Sequence, residues 1–168
     1  MATRLDKLKE LMVLTMLAPL LTAVKFALSG LYNIELVSLL LMVFTYKFGY
    51  KALLPAFIFS VTEVFIYGIN IWNIMYLYVW AILVLVCLPI RKIRKRWVFA
   101  LTSGLYGLLF GCLCAVSFFF VPSLGLSFAV SWAIAGFFPA DILHCVGNFF
   151  SALLLYIPLT NAMDRIIK

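Results

Sequence analysis

The sequence has few charged residues, and acidic residues are especially scarce. Of its 168 residues, 11% are charged, with 6 Asp or Glu against 13 Lys or Arg. Soluble globular domains carry about 25% charged residues, so this composition excludes an ordinary soluble domain. Apolar residues make up 67% of the chain, and the mean hydropathy is +1.18. We therefore expect a protein that lies within a lipid bilayer.

The chain also lacks the sequence motifs of ATPases, metalloproteins and hydrolases. It has one His, no Walker loop, no H-E-x-x-H sequence and no Ser with a neighbouring base, so it cannot hydrolyse ATP by itself. The cysteines lie singly in apolar stretches, outside any C-x-x-C pair or Cys/His cluster: Cys87, Cys112, Cys114 and Cys145. We predict no catalytic residue, metal site or cofactor in this chain.

Long apolar runs fill the sequence and are punctuated by charges, Pro, Gly and Asn. A helix needs about 20 apolar residues to cross the hydrocarbon core of a bilayer. Because backbone polar groups in lipid must bond within their own segment, these continuous runs predict helices. We predict an all-α membrane protein, one transmembrane domain over 1–168 with six spans, at about 11–30, 34–48, 51–69, 73–90, 97–121 and 133–160.

The basic residues are confined to alternate loops of this arrangement. Twelve of the thirteen lie before span one, between spans two and three, between spans four and five, or after span six. By the positive-inside rule, both termini and the two basic loops are cytoplasmic. The same distribution indicates that the net charge of +7 faces membrane lipid, and we expect no nucleic-acid partner.

Five ionisable residues fall within or at the edge of the predicted spans, where charges are costly and mark functional sites. They are Lys25, Glu35, Glu63, Asp141 and His144. The predicted topology places all five in the outer half of the bilayer or near its midplane. Two structural alternatives stay open: an ion pair of Lys25 with Glu35 or Glu63, and an interhelical hydrogen bond of His144.

Polar and aromatic residues gather at the same depth. Asp141, His144 and Asn148 share one face of the last span, which we expect to point inward. Trp72 and Trp132 fit either a pocket or an interfacial aromatic belt. The predicted substrate-binding residues are Lys25, Glu35, Glu63, Asn70, Trp72, Asn73, Tyr76, Trp80, Trp132, Asp141, His144 and Asn148. Such groups suit a small, planar, polar or weakly cationic solute taken from outside.

Small residues recur at four-residue spacing on two predicted spans, a pattern that allows close approach of another helix. On span five the stripe consists of Ser103, Gly107, Gly111 and Ala115. We expect this stripe to pack within the bundle. On span one, Ala23 and Ala27 flank Lys25. Internal packing and docking to another membrane protein are both open for this pair.

Three segments carry a resemblance to a known family: A-V-K-F-A from Ala23, N-I-E-L-V-S-L-L from Asn33, and P-A-D-I-L-H-C-V-G-N from Pro139. Together with the chain length, the basic loops and the six predicted helices, they resemble the S components of energy-coupling factor (ECF) vitamin transporters. The resemblance covers essentially the whole chain.

The resemblance implies a function and partners. S components lie in the plasma membrane of prokaryotic cells. They bind a B-type vitamin or precursor from the outside with high affinity. They dock on a transmembrane T component coupled to two cytoplasmic ATPases, which use ATP and Mg, and topple to deliver the substrate. Ala23 and Ala27 would form the docking surface, and Lys25 between them departs from the usual apolar motif. A pyridine or pyrimidine vitamer, such as vitamin B6 or hydroxymethylpyrimidine, is the expected substrate.

Three other classes of protein fit parts of the sequence. A structural scaffold subunit of the cell-wall or rod-shape type has similar size, binds no ligand and leaves the polar groups in the membrane unexplained. An intramembrane enzyme would use Asp141 and His144 as an acid–base pair, and replacing His144 by Ala would then abolish turnover but spare binding. A stand-alone carrier would function without ATPases.

Overall fold

The computed structural model of the chain describes residues 4–121 and 123–167, and their regular structure is entirely helical. The α-helices of these ranges are α1 (Arg4–Ala27), α2 (Val37–Phe48), α3 (Leu53–Tyr67), α4 (Ile71–Cys87), α5 (Arg96–Ala115), α6 (Gly125–Gly136) and α7 (Ile142–Ile166). Short 3₁₀ turns lie at Gly49–Ala52 and Val116–Phe120, and a π-helical turn lies at Phe137–Asp141. The all-helical class predicted from the sequence is confirmed.

The described residues contain four helical stretches that are long and apolar enough to cross a membrane: Arg4–Ala27, Val37–Tyr67, Arg96–Phe120 and Gly125–Ile166. The apolar helix α4 is shorter, with 17 residues. Gly49, with φ +63°, interrupts the second stretch. The helices on either side, of 12 and 15 residues, are therefore only about 18 Å and about 23 Å long. The count of six spans stays a prediction.

The last predicted span, 133–160, differs from the structure at its beginning. A separate helix, α6, precedes it, and the chain leaves helical geometry at Phe138 (φ −122°, ψ 128°) before α7 starts. Phe138 precedes Pro139, and the proline ring disfavours helical geometry for the residue before it. The rings of Phe128 and Trp132 on α6 pack on Phe118, with centroids 4.9 and 5.1 Å away.

Helix α1 lies beside α3 and runs in the same direction. Lys51 Nζ, in the turn before α3, lies 2.6 Å from Glu10 Oε2, and further along both helices Lys25 forms an ion pair with Glu63. Only Leu14, Ala18 and Leu21 of α1 are buried. α1 is therefore a peripheral helix that is fastened to α3 by charges near both of its ends.

Helices α2 and α7 also run in parallel and are joined at both ends. Glu35, just before α2, contacts His144 near the start of α7. At the far end, the Tyr46 hydroxyl donates to the Asp164 carboxylate at 2.8 Å. α2 is the central helix, and its residues from Val37 to Leu39 and from Leu41 to Thr45 are buried.

Two ends of the bundle can be defined from these contacts. The basic end contains Lys47, Lys51, Arg91, Lys92, Arg94, Lys95, Arg96 and Arg165. The cavity end contains Lys25, Glu35, Glu63 and His144, together with the starts of α4 and α7. The contacts of α1 with α3, and those of α2 with α7, each join two helix ends that lie at the same end of the bundle. The ionisable residues of the predicted spans therefore lie apart from the basic loops.

The small-residue stripe of α5 packs within the bundle, as the sequence predicts, and the structure identifies α7 as its partner. A Cβ atom on Gly107 would lie 2.8 Å from the His144 backbone oxygen. At Gly111, a Cβ atom would collide with the Asp141 carboxylate. Glycine at position 107 therefore permits the antiparallel helices to meet at backbone distance, and glycine at position 111 leaves room for the Asp141 side chain.

Replacing Gly107 by Ala is expected to destabilise the protein, because the added methyl group must push α7 away from α5. Overpacking of this kind costs about 1–3 kcal/mol. Gly136→Ala is the matched control, since no atom lies within 4 Å of a Cβ at that position. The free energy of unfolding of both variants should be measured in mild detergent by circular dichroism. Equal stability of G107A and G136A would contradict the close helix contact.

Candidate functional site

Two adjoining cavities occupy the cavity end. The first has a volume of about 290 Å³, and the predicted residues that line it are Lys25, Glu35, Tyr76, Trp80 and His144. The second has a volume of about 350 Å³, and the predicted residues that line it are Lys25, Glu63, Asn70, Trp72, Asn73 and Tyr76. The chain thus brings nine of the twelve predicted binding residues to these two spaces.

Lys25 forms part of the wall between the two cavities. Its ammonium group pairs with Glu63, which is 2% exposed, so the structure contains one of the two ion pairs considered from the sequence. The same nitrogen lies 4.8 Å from the ring centroid of Tyr67 and 5.0 Å from that of Tyr76. Both distances allow cation–π attraction. The carboxylate and the two rings together stabilise a charge that would otherwise be costly to bury.

Glu35 and His144 lie on another side of the first cavity. The Glu35 carboxylate accepts hydrogen bonds from the backbone N–H of Ser38 at 2.9 Å and from its hydroxyl. His144 Nε2 lies 3.2 Å from Glu35 Oε1. The Ser38 N–H belongs to the first turn of α2, where backbone donors lack helical partners, and Glu35, which precedes the N-cap residue Leu36, supplies one. Its position at the cavity is consequently fixed by the backbone.

An aromatic cluster closes the first cavity. Trp80 is 3% exposed, and its ring meets Tyr76 edge to face at 5.4 Å and Phe110 at 5.6 Å between centroids. The Trp80 indole N–H and Glu63 Oε1 have no hydrogen-bond partner among the described residues. A buried polar atom without a partner costs about 1–3 kcal/mol. Both atoms belong to residues that line the cavities, Trp80 the first and Glu63 the second.

Asn70 and Asn73 line the second cavity but also cap α4. The Asn70 side chain accepts from the Trp72 backbone N–H at 2.9 Å, and the Asn73 side chain accepts from the Asn70 N–H at 2.9 Å. Their oxygens are thus used for the helix terminus. The Trp72 ring lies 5.3 Å from that of Trp132.

Three predicted binding residues line neither cavity: Trp132, Asp141 and Asn148. Asp141 accepts a hydrogen bond from the Gly111 backbone N–H at 3.1 Å. Asn148 donates to the Ser38 hydroxyl at 3.4 Å. Helical spacing correctly places Asp141 and Asn148 on the same face as His144. That face, however, contacts two neighbouring helices, α5 at Asp141 and α2 at Asn148. Only His144 is placed where it reaches the cavity.

The structure adds lining residues that the sequence analysis missed. Tyr67 borders both cavities, and Phe110 lies beside His144 with ring centroids 4.7 Å apart. Both are aromatic residues in apolar helices, where nothing in the local sequence distinguishes a cavity wall from lipid contact. Phe110 is followed by Gly111, which belongs to the small-residue stripe of α5. This stripe was the one sequence feature that could have indicated that Phe110 faces the interior.

Within residues 4–121 and 123–167, no group of three or more His, Cys, Asp or Glu side chains is arranged to hold a metal ion. Comparisons with protein-family models, curated proteins and solved structures find no match. The fold and the site define a bundle of helices, several of them apolar enough to span a membrane, with paired polar cavities at one end.

Replacing Lys25 by Met is expected to lower the free energy of unfolding by about 3 kcal/mol, because the buried Glu63 loses its counter-charge. The matched control is Lys51→Met, which breaks the other ion pair between α1 and the segment of α3. That pair is partly exposed on both sides, and such pairs contribute about 0–1 kcal/mol. Denaturant unfolding in detergent measures both changes.

The double variant Lys25→Met/Glu63→Gln separates charge burial from loss of packing. It should regain most of the stability lost in K25M, since no uncompensated charge is left. Equal losses in K25M and K51M, or no recovery in the double variant, would contradict the importance of the buried pair.

Proposed function

We propose that this chain is the substrate-binding subunit of an ECF-type importer and that it captures a small heterocyclic vitamin or precursor. The supporting observation is the first cavity, where an ammonium, a carboxylate and an imidazole meet the Trp80, Tyr76 and Phe110 rings. Flat rings of a ligand can pack on these faces, while its nitrogens and hydroxyls bond to the polar groups.

The volume and charge of the cavities favour a small ligand. Ligand cavities usually measure about 300–1,000 Å³, so spaces of about 290 and 350 Å³ suit a single-ring molecule. Each carboxylate of the cavities meets a basic side chain, Glu63 that of Lys25 and Glu35 that of His144. This pairing favours a neutral or weakly cationic heterocycle. A pyridine or pyrimidine vitamer, such as vitamin B6 or hydroxymethylpyrimidine, has these properties.

The proposed membrane arrangement has six passes, with both termini in the cytoplasm of a prokaryotic cell. The helix directions support it: α1 parallels α3, α2 parallels α7, and α5 packs antiparallel to α7. In this arrangement α6 caps the cavity end, and the basic end faces the cytoplasm by the positive-inside rule. The cavities then open toward the outside, where the substrate is captured.

Transport requires partners in this proposal: a T component and two cytoplasmic ATPase subunits that bind ATP and Mg. Ala23 and Ala27 are exposed on α1, whereas Lys25 between them contacts the cavity wall. Residues two positions apart on a helix point about 200° apart, so the alanines and the lysine occupy opposite faces. The small alanine face is available for close helix contact with a partner.

Ligand binding is tested first by native mass spectrometry of the purified chain in mild detergent, followed by titration with thiamine, hydroxymethylpyrimidine and pyridoxine. Glu35→Gln and Trp80→Phe should weaken binding about 10-fold or more, because the first removes a negative charge and the second removes an indole N–H at the cavity. Glu10→Gln is the charge-matched control at the basic end and should bind normally. Thermal unfolding of each variant reports whether it folds.

Each alternative class of protein predicts a distinct experimental result. A folded chain that retains no molecule and binds none of the three compounds would favour the scaffold subunit and overturn the proposal. A ligand whose mass changes during incubation would indicate an intramembrane enzyme. Transport in vesicles without ATPase subunits would indicate a stand-alone carrier.

Docking is tested by Ala23→Leu/Ala27→Leu, which should abolish co-purification of the T component and the ATPases. The larger side chains hold the partner helix away from α1. Ligand binding should be unchanged, because both alanines lie outside the cavity lining. Ala135→Leu, at an exposed alanine of α6, is the control. Co-purification of the partners with the double variant would contradict docking through this face.

A further inference from the structure

The basic end contains a groove that the proposed function does not use. It lies between the start of α5 and the middle of α7 and has a volume of about 610 Å³. Cationic side chains, Lys95 and Arg96, line one part of it, and Leu154 and Ile157 line another. Trp97 also lines the groove and is 57% exposed.

Two cations of this groove are not neutralised by the protein. The side chains of Lys95 and Arg96 are exposed and have no ion-pair or hydrogen-bond partner within residues 4–121 and 123–167. The nearby carboxylate of Asp164 is already shared by Lys47 and Arg94. A surplus of positive charge therefore remains at the mouth of the groove.

The remainder of the groove is apolar and open to the surroundings. Leu154 is 65% exposed, although it lies on a helix apolar enough to span a membrane. A ligand that satisfies both parts must carry an anionic group joined to a hydrocarbon chain. Tryptophan is enriched at the level of lipid headgroups, which places the boundary between the two parts at Trp97.

We propose that this groove binds one anionic phospholipid, with its phosphate at Lys95 and Arg96 and an acyl chain along Leu154 and Ile157. Basic pockets between transmembrane helices are suited to anionic headgroups. An inorganic anion would use the cations but not the apolar wall. The proposal needs the chain to be in a membrane and is independent of the ligand at the cavity end.

The test uses the full chain in nanodiscs that contain equal amounts of phosphatidylglycerol and phosphatidylcholine, followed by native mass spectrometry of the released protein. The wild type should retain one phosphatidylglycerol in preference to phosphatidylcholine. Lys95→Gln/Arg96→Gln should bind it about 25-fold more weakly, from about a factor of 5 for each cation near a membrane surface. Arg4→Gln/Lys9→Gln, the control with the same charge change elsewhere, should retain it.

Three outcomes would overturn the proposal. Equal retention of both lipids would mean that the groove does not select an anionic headgroup. Equal loss in the two double variants would assign the effect to net charge and not to the groove. Displacement of phosphatidylglycerol by millimolar inorganic phosphate would indicate a simple anion site. Thermal unfolding of both variants in detergent verifies that each is folded.

Discussion

The close contact between α5 and α7 positions the polar groups on which the cavity end depends. Because Gly107 and Gly111 leave no side chain between the helices, α7 lies against the α5 backbone in one register. In that register Asp141 bonds to the Gly111 N–H, and His144 is directed toward Glu35. Two glycines thus determine where the single imidazole of the chain meets a carboxylate. A shift of one residue along α7 would rotate its polar face by about 100° and separate these groups.

Charge is arranged differently at the two ends of the bundle. At the cavity end, Lys25 and Glu63 are paired inside the structure, with Lys25 27% and Glu63 2% exposed at their side chains. At the basic end, Lys95 and Arg96 are exposed. A buried pair is costly to form and still more costly to break, so the internal charges are suited to a site of defined geometry. Exposed cations beside an apolar groove are suited to a mobile, amphipathic partner such as lipid.

The sequence predicted the helical class, the packing stripe of α5 and nine of the seventeen residues that line the two cavities. It could do so because charges stand out in an apolar chain and because small residues at four-residue spacing share a face. It did not predict the break at Phe138, since the apolar run there is uninterrupted and only Pro139 indicates a change. Nor could helical spacing separate His144 from Asp141 and Asn148, because spacing defines a face but not which neighbouring helix covers it. Tyr67 and Phe110 were missed because an aromatic residue in an apolar segment has no local signature of a cavity.

The connections between helices restrict which parts of the molecule can move. Contacts at both ends, Glu35 with His144 and Tyr46 with Asp164, hold α2 and α7 in a fixed relation, and α5 is held to α7 by backbone contact. α1 buries only three residues and is fastened chiefly to α3. Yet α1 carries Lys25, which lines both cavities. Displacing α1 would therefore open the cavity wall and leave Glu63 uncompensated, while the helices that carry Glu35 and His144 stayed in place. A partner that bound the alanine face of α1 would act on the one helix whose position controls both cavities.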